Sequence, residues 1–219
     1  MKPPYISKLT TIGKHNVYVV DGGYVRKNIA GGKDFTNFGH SHRFGFIPKN
    51  EFWVDRGVRA DESGYFLDNM LKEHGLMEKG KPFGEAHAAA IKQEKMERMK
   101  ARVGPRLGEK ATPEAKASIP KTAMPQYDQD GLKVFMVDGK AVRDKLFPDF
   151  AEGGNDKAYG FIPKGEVWLD DGIDPKEVKP FVTHEITERN LMAKGMPYIA
   201  AHKRANEAEH ALRMNGEHK

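Results

Sequence analysis

Gly45-Phe-Ile-Pro-Lys-Asn-Glu-Phe-Trp-Val-Asp55 returns 115 residues later as Gly160-Phe-Ile-Pro-Lys-Gly-Glu-Val-Trp-Leu-Asp170. This match reads the chain as a tandem duplication, and it sets how every other segment is read. Toward the N-terminus, Val17-Tyr-Val-Val-Asp-Gly-Gly-Tyr-Val-Arg26 returns as Val134-Phe-Met-Val-Asp-Gly-Lys-Ala-Val-Arg143 at an offset of 117, so one short insertion or deletion separates the two phrases. From Asp34 onward the offset stays at 115. Phe66 then pairs with Phe181, Glu73 with Glu188, Leu76-Met77 with Leu191-Met192, Gly80 with Gly195, Pro82 with Pro197 and His87 with His202.

Each copy has one order of elements: hairpin, loop, hairpin, helix, Gly-x-Pro turn, Ala-rich helix. The Val-x-Val-Asp-Gly phrase is read as a strand, an Asp-Gly turn and a second short strand. The predicted fold class is α+β, each copy carrying two β-hairpins in a small antiparallel sheet covered by a helical hairpin. Trp53 and Trp168, repeated with Phe46 and Phe161, are expected in the sheet core. The first copy spans residues 1–102, including a Pro-containing lead-in, and the second spans 131–219. Between them, 103–130 is rich in Pro, Ala, Lys and Gly without clear periodicity, so a linker is expected, extended or mobile over 103–125.

Composition narrows the chemistry. The 219 residues include no cysteine, which removes disulfides, thiol nucleophiles and cysteine-bound zinc, and leaves His, Asp and Glu to hold any metal. Of the formal charge of +5, six basic against two acidic residues between Lys100 and Tyr127 account for +4. No aromatic residue is interleaved there to stack on bases, so nucleic acid is not the expected partner. The N-terminal Met-Lys-Pro-Pro-Tyr lacks the apolar run of a secretory signal and no stretch approaches bilayer length, so a cytoplasmic location without membrane contact is expected. Dinucleotide, phosphate-loop and serine-hydrolase motifs are missing from the sequence.

The stretch Phe181-Val-Thr-His-Glu-Ile-Thr-Glu-Arg-Asn-Leu-Met192 reads as a helix stopped by Gly195 and Pro197. His184 and Glu188 stand four residues apart on one face, placed to grip one metal ion, with Glu185 beside them. At about 1.5 Å of rise per residue, an antiparallel helix pair brings His202 level with Glu188.

His184-Glu185-Ile186-Thr187-Glu188 resembles the His-Glu-x-x-His of zincin metallopeptidases, with a glutamate in place of the second histidine. Over residues 134–213, Glu-x-Trp-x-Asp, His-Glu-x-x-Glu-Arg and Gly-x-Pro-Tyr with Ala-His are also similar to small uncharacterised proteins of bacterial and phage genomes. The resemblance implies zinc held by His184, Glu188 and His202, and Glu185 as general base on a water at the open position. Asp170 or Asp171 is expected to orient a histidine from behind. The first copy keeps Glu73 and His87 but has Asn69 for His184 and Met70 for Glu185, which marks its site as degenerate and Glu73-His87 as a tie between helices. In Phe38-Gly-His-Ser-His-Arg43, His40 and His42 either lie in an exposed loop or, if extended, point to one side and join His87 and Glu73 around a metal.

Two functions follow. One is a duplicated zincin-like protein whose second copy is a metal-dependent hydrolase or peptidase acting on a peptide substrate. The other is a non-catalytic structural or assembly protein, such as a phage particle component, whose two modules dock on a protein partner, touch each other or build a homo-oligomer.

Overall fold

The computed structural model describes residues 2–101 and 112–215, which fall into two compact units: 2–30 with 35–101, and 31–34 with 112–215. The first holds β1 (Tyr5–Ile12), β2 (His15–Val20), α1 (Gly22–Asn28), β3 (Phe38–His40), β4 (Glu51–Asp55), α2 (Ser63–Glu78) and α3 (Phe83–Lys100). The second begins with α4 (Pro113–Ala117). It continues with β5 (Lys121–Ala123), a 3₁₀ turn at Pro125–Tyr127, β6 (Lys133–Val137), α5 (Gly139–Lys145), β7 (Gly153–Asn155), β8 (Glu166–Asp170), α6 (Val178–Ala193) and α7 (Tyr198–Asn215). Each unit is α+β with one four-stranded sheet, ordered β1-β2-β4-β3 and β5-β6-β8-β7.

Two antiparallel pairs flank a parallel centre in each sheet: β2 runs parallel to β4, and β6 to β8. The sheets are therefore mixed rather than wholly antiparallel, and the cause lies in the Asp-Gly phrase. Asp21 and Asp138 do not turn a hairpin. Their carboxylates accept the N–H of Tyr24 and Ala141, both at 2.9 Å, and so cap the N-termini of α1 and α5. The helix carries the chain over one face and returns it parallel to the strand it left. The first hairpin of the first unit lies one element earlier than expected, in the Pro-containing lead-in, with Gly13 at φ +57° in its turn.

The sheets are buried on both faces. On one face, α1 packs Val25 against Val20, Trp53 and Phe35; on the other, α2 packs Phe66 and Met70 against Val17, Phe52 and Val54. The second unit repeats this with Val142 and Trp168 on one side, and Phe181, Val182 and Ile186 against Val134, Val167 and Leu169 on the other. Trp53 and Trp168 are core residues as expected, and Phe46 and Phe161 lie partly buried beside them.

Residues 112–127 carry α4, β5 and the 3₁₀ turn, and Ile119 is buried in the second unit's core, so the expected linker narrows to 103–111, which lies outside the described residues. Among the described residues no helix is long and apolar enough to cross a membrane.

Candidate metal centre

The helical hairpin α6–α7 builds the centre. Gly195 at φ +90° closes α6, with its N–H on Met192 O and that of Met196 on Leu191 O, and Pro197 opens the next segment. Ala201 and Ala205 are fully buried, and such small side chains let α7 approach α6 closely. His202 thus arrives beside Glu188, as the spacing predicts: its Nδ1 lies 2.8 Å from Glu188 Oε2. His184 Nε2 lies 3.6 Å from the same oxygen, and the His184 and His202 rings meet edge to face at 4.9 Å.

One ligand atom from each of His184, Glu188 and His202 falls within 4.8 Å of the others. Two imidazole nitrogens and a carboxylate oxygen form a donor set that suits zinc. His184 and Glu188 are buried, while His202 is half-buried and gives the cluster its open side.

Three contacts around this cluster were not foreseen from the sequence. Glu209 Oε2 lies 2.7 Å from His184 Nδ1, which leaves Nε2 directed toward Glu188. Glu209 is itself held by Arg213, which also binds Glu177 at 2.7 Å. Asn155, at the end of β7, donates from Nδ2 to Glu188 Oε1 at 2.8 Å and to Glu185 Oε2 at 3.0 Å. Asp34, from the 31–34 segment of this unit, places Oδ2 3.4 Å from His202 Nε2.

The carboxylate behind the histidine is therefore Glu209, not Asp170 or Asp171. Asp170 is tied to Arg143 and to Gly172 N, and Asp171 accepts from Gly139 N. Glu209 had a sequence signal: Glu94-x-x-x-Arg98 and Glu209-x-x-x-Arg213 repeat, each glutamate seven residues beyond His87 or His202 and so on the same helix face.

Charge is strongly organised here. Burial disfavours the His184 imidazolium, but the Glu188 and Glu209 carboxylates outweigh it and push its pKa up to about 11. Burial likewise acts against charge on His202, and Asp34 and Glu188 raise its pKa to about 9. Glu188 would be raised by burial, yet the two histidines hold it down at about 2. For Glu185 burial prevails, with the His184 charge opposing it, and its carboxyl sits at about 7. A metal ion entering this site displaces protons from His184 and His202.

The first unit handles the same positions differently. Glu73 Oε2 lies 2.7 Å from His87 Nδ1, matching the Glu188–His202 contact. Asn69 donates to Glu94 at 2.8 Å, where His184 meets Glu209. His40 is fully buried, not in an exposed loop, and its Nε2 lies 2.8 Å from Glu73 Oε1, where the second unit uses Asn155. Histidine and asparagine have thus changed places around a shared glutamate. Met70, the counterpart of Glu185, packs against Phe38; in the second unit Gly153 replaces that phenylalanine, and a Cβ on it would lie 3.1 Å from Glu185 Oε1.

Comparison of the chain with family models, with curated proteins and with solved structures gives no match.

Proposed function

We propose that the second unit binds a single divalent transition-metal ion of the zinc type through His184 Nε2, Glu188 and His202, and that the site is hydrolytic with a peptide substrate. The observation that carries the reading is the convergence of those three donors within 4.8 Å. Glu209 behind His184 strengthens it, because a carboxylate on the far nitrogen fixes the tautomer that a metal-binding imidazole needs. When bound, the ion would polarise a carbonyl and lower the pKa of a water molecule. Glu185, whose carboxyl is raised by burial, would act as the general base that takes a proton from that water and returns it to the leaving group. Asn155 holds Glu185 and Glu188 in place.

Zinc content of untagged protein after dialysis against a weak chelator tests the first step. One equivalent is expected in the wild type and none in His184→Ala; Glu209→Gln should weaken binding about 10- to 100-fold. Glu185→Gln should keep the zinc and lose cleavage of a peptide library. Wild-type protein without zinc defeats the proposal.

That outcome would favour a second reading, a non-catalytic docking or assembly module. Its support is the recurrence of the Glu–His tie between helices in both units, at 2.7 and 2.8 Å, with different residues around it.

A further inference from the structure

We propose that the first unit carries its own transition-metal site, built from the imidazoles of His15, His40, His42 and His74. Its ligand is a divalent ion of the zinc or cobalt kind. The site is distinct from the second unit's centre in both position and donors.

The four residues come from separate elements and meet around His74. His15 opens β2, His40 ends β3, His42 follows in the loop to β4, and His74 lies on α2. The ring of His74 is 4.7 Å from that of His15, 5.3 Å from His40 and 4.6 Å from His42, and His40 and His42 are 6.3 Å apart. Imidazoles bound at about 2.0–2.1 Å to one tetrahedral ion hold their ring centres roughly 5 Å apart, a spacing that the three pairs involving His74 show and that His40 and His42 exceed. Phe52 lines the cluster, stacked on His15 at 4.6 Å and in contact with His74 at 5.3 Å. His15, His40 and His74 are buried, and exposed His42 stands at the mouth.

Two orphaned atoms point to a cation. His15 Nε2 and His40 Nδ1 are both buried without a hydrogen-bond partner. Leaving such atoms unmatched costs on the order of 1–3 kcal/mol each. Glu73 takes the other nitrogen of His40, the arrangement that presents a free lone pair to a metal. Among the described residues, no three of these imidazoles hold nitrogens within 4.8 Å of one another as they stand, so binding turns His42 and His74 about their side-chain bonds to bring their nitrogens inward.

The duplication shows that the fold does not need these histidines. Their counterparts are Leu132, Asn155, Lys157 and Arg189. Leu132 joins the core, Asn155 binds Glu185 and Glu188, and Arg189 binds Asp156 at 2.9 Å. The same scaffold closes without a single imidazole at the four places where the first unit has one. All-imidazole donors favour zinc, copper, nickel or cobalt over calcium and magnesium.

Cobalt(II) titration of untagged protein, followed by visible absorption and by displacement with zinc, tests the site. His42→Ala should lower cobalt affinity at least tenfold, and His74→Gln should remove one bound equivalent. Both effects should persist in a His202→Ala background, and His184→Ala alone should leave this site's signal unchanged. His42 is exposed, so its replacement reports on binding without disturbing the core. Equal cobalt stoichiometry and affinity in wild type and His42→Ala would overturn the proposal.

Discussion

His74 is enclosed by groups that oppose its charge. Burial is the largest influence, and His40, His15 and His42 add to it while Glu78 pulls weakly the other way, so the imidazole falls from 6.5 to about 4. A histidine whose folded pKa is depressed keeps its full contribution to stability above its unfolded value, near 6.5, and loses it as pH falls toward 4. The metal-free protein should therefore lose on the order of 1–2 kcal/mol between pH 7 and pH 4.5, read from urea midpoints. The loss should shrink in His74→Gln; an equal loss in that variant would place the acid sensitivity elsewhere. At this scale the sequence revealed a part of each site. His184, Glu188 and His202 were legible because two helices and a Gly-x-Pro turn fix their spacing. Asn155 was not, and His40 was a candidate with two placements open, because each ends a three-residue strand too short to show which side its residues face.

Among the elements, α1 and α5 were misread as strands, since Asp-Gly between apolar residues signals both a hairpin turn and a helix cap. The arginine four residues beyond the glycine decides between them. Arg26 reaches Asp55 at the end of β4 at 3.0 Å and donates to Phe35 O, and Arg143 does the same with Asp170 and Phe150 O. Only a helix places that arginine under its own first turn. The glycine is needed for room: a Cβ on Gly139 would lie 2.1 Å from Asp170 Cγ, and one on Gly22 would lie 1.6 Å from Asp55 Oδ2. Gly139→Ala should cost about 2–4 kcal/mol by forcing apart a buried ion pair, measurable as a fall in chemical midpoint at unchanged slope. A neutral result would mean that Asp170 moves aside freely.

At the level of the whole molecule, the duplication was legible from its repeated phrases and apolar positions, while the folding of residues 112–127 into the second unit was hidden by a Pro- and Lys-rich composition. The repeated parallel pair also bears on how the chain reaches its native state. β4 and β8 share Glu-x-Trp-x-Asp and meet their partners in the same register, Val17 beside Phe52 and Val134 beside Val167. During refolding, β2 can thus recruit either of two nearly equivalent strands. Val17 meets its own partner across 35 residues and would meet Val167 across 150. Loop-closure entropy separates these by only about 1 kcal/mol, a preference of roughly tenfold. A measurable minority of chains should first assemble a hybrid sheet and must undo it. Tryptophan fluorescence should show a slow refolding phase that prolyl isomerase does not accelerate, and its absence would mean that each copy collapses before the other can compete.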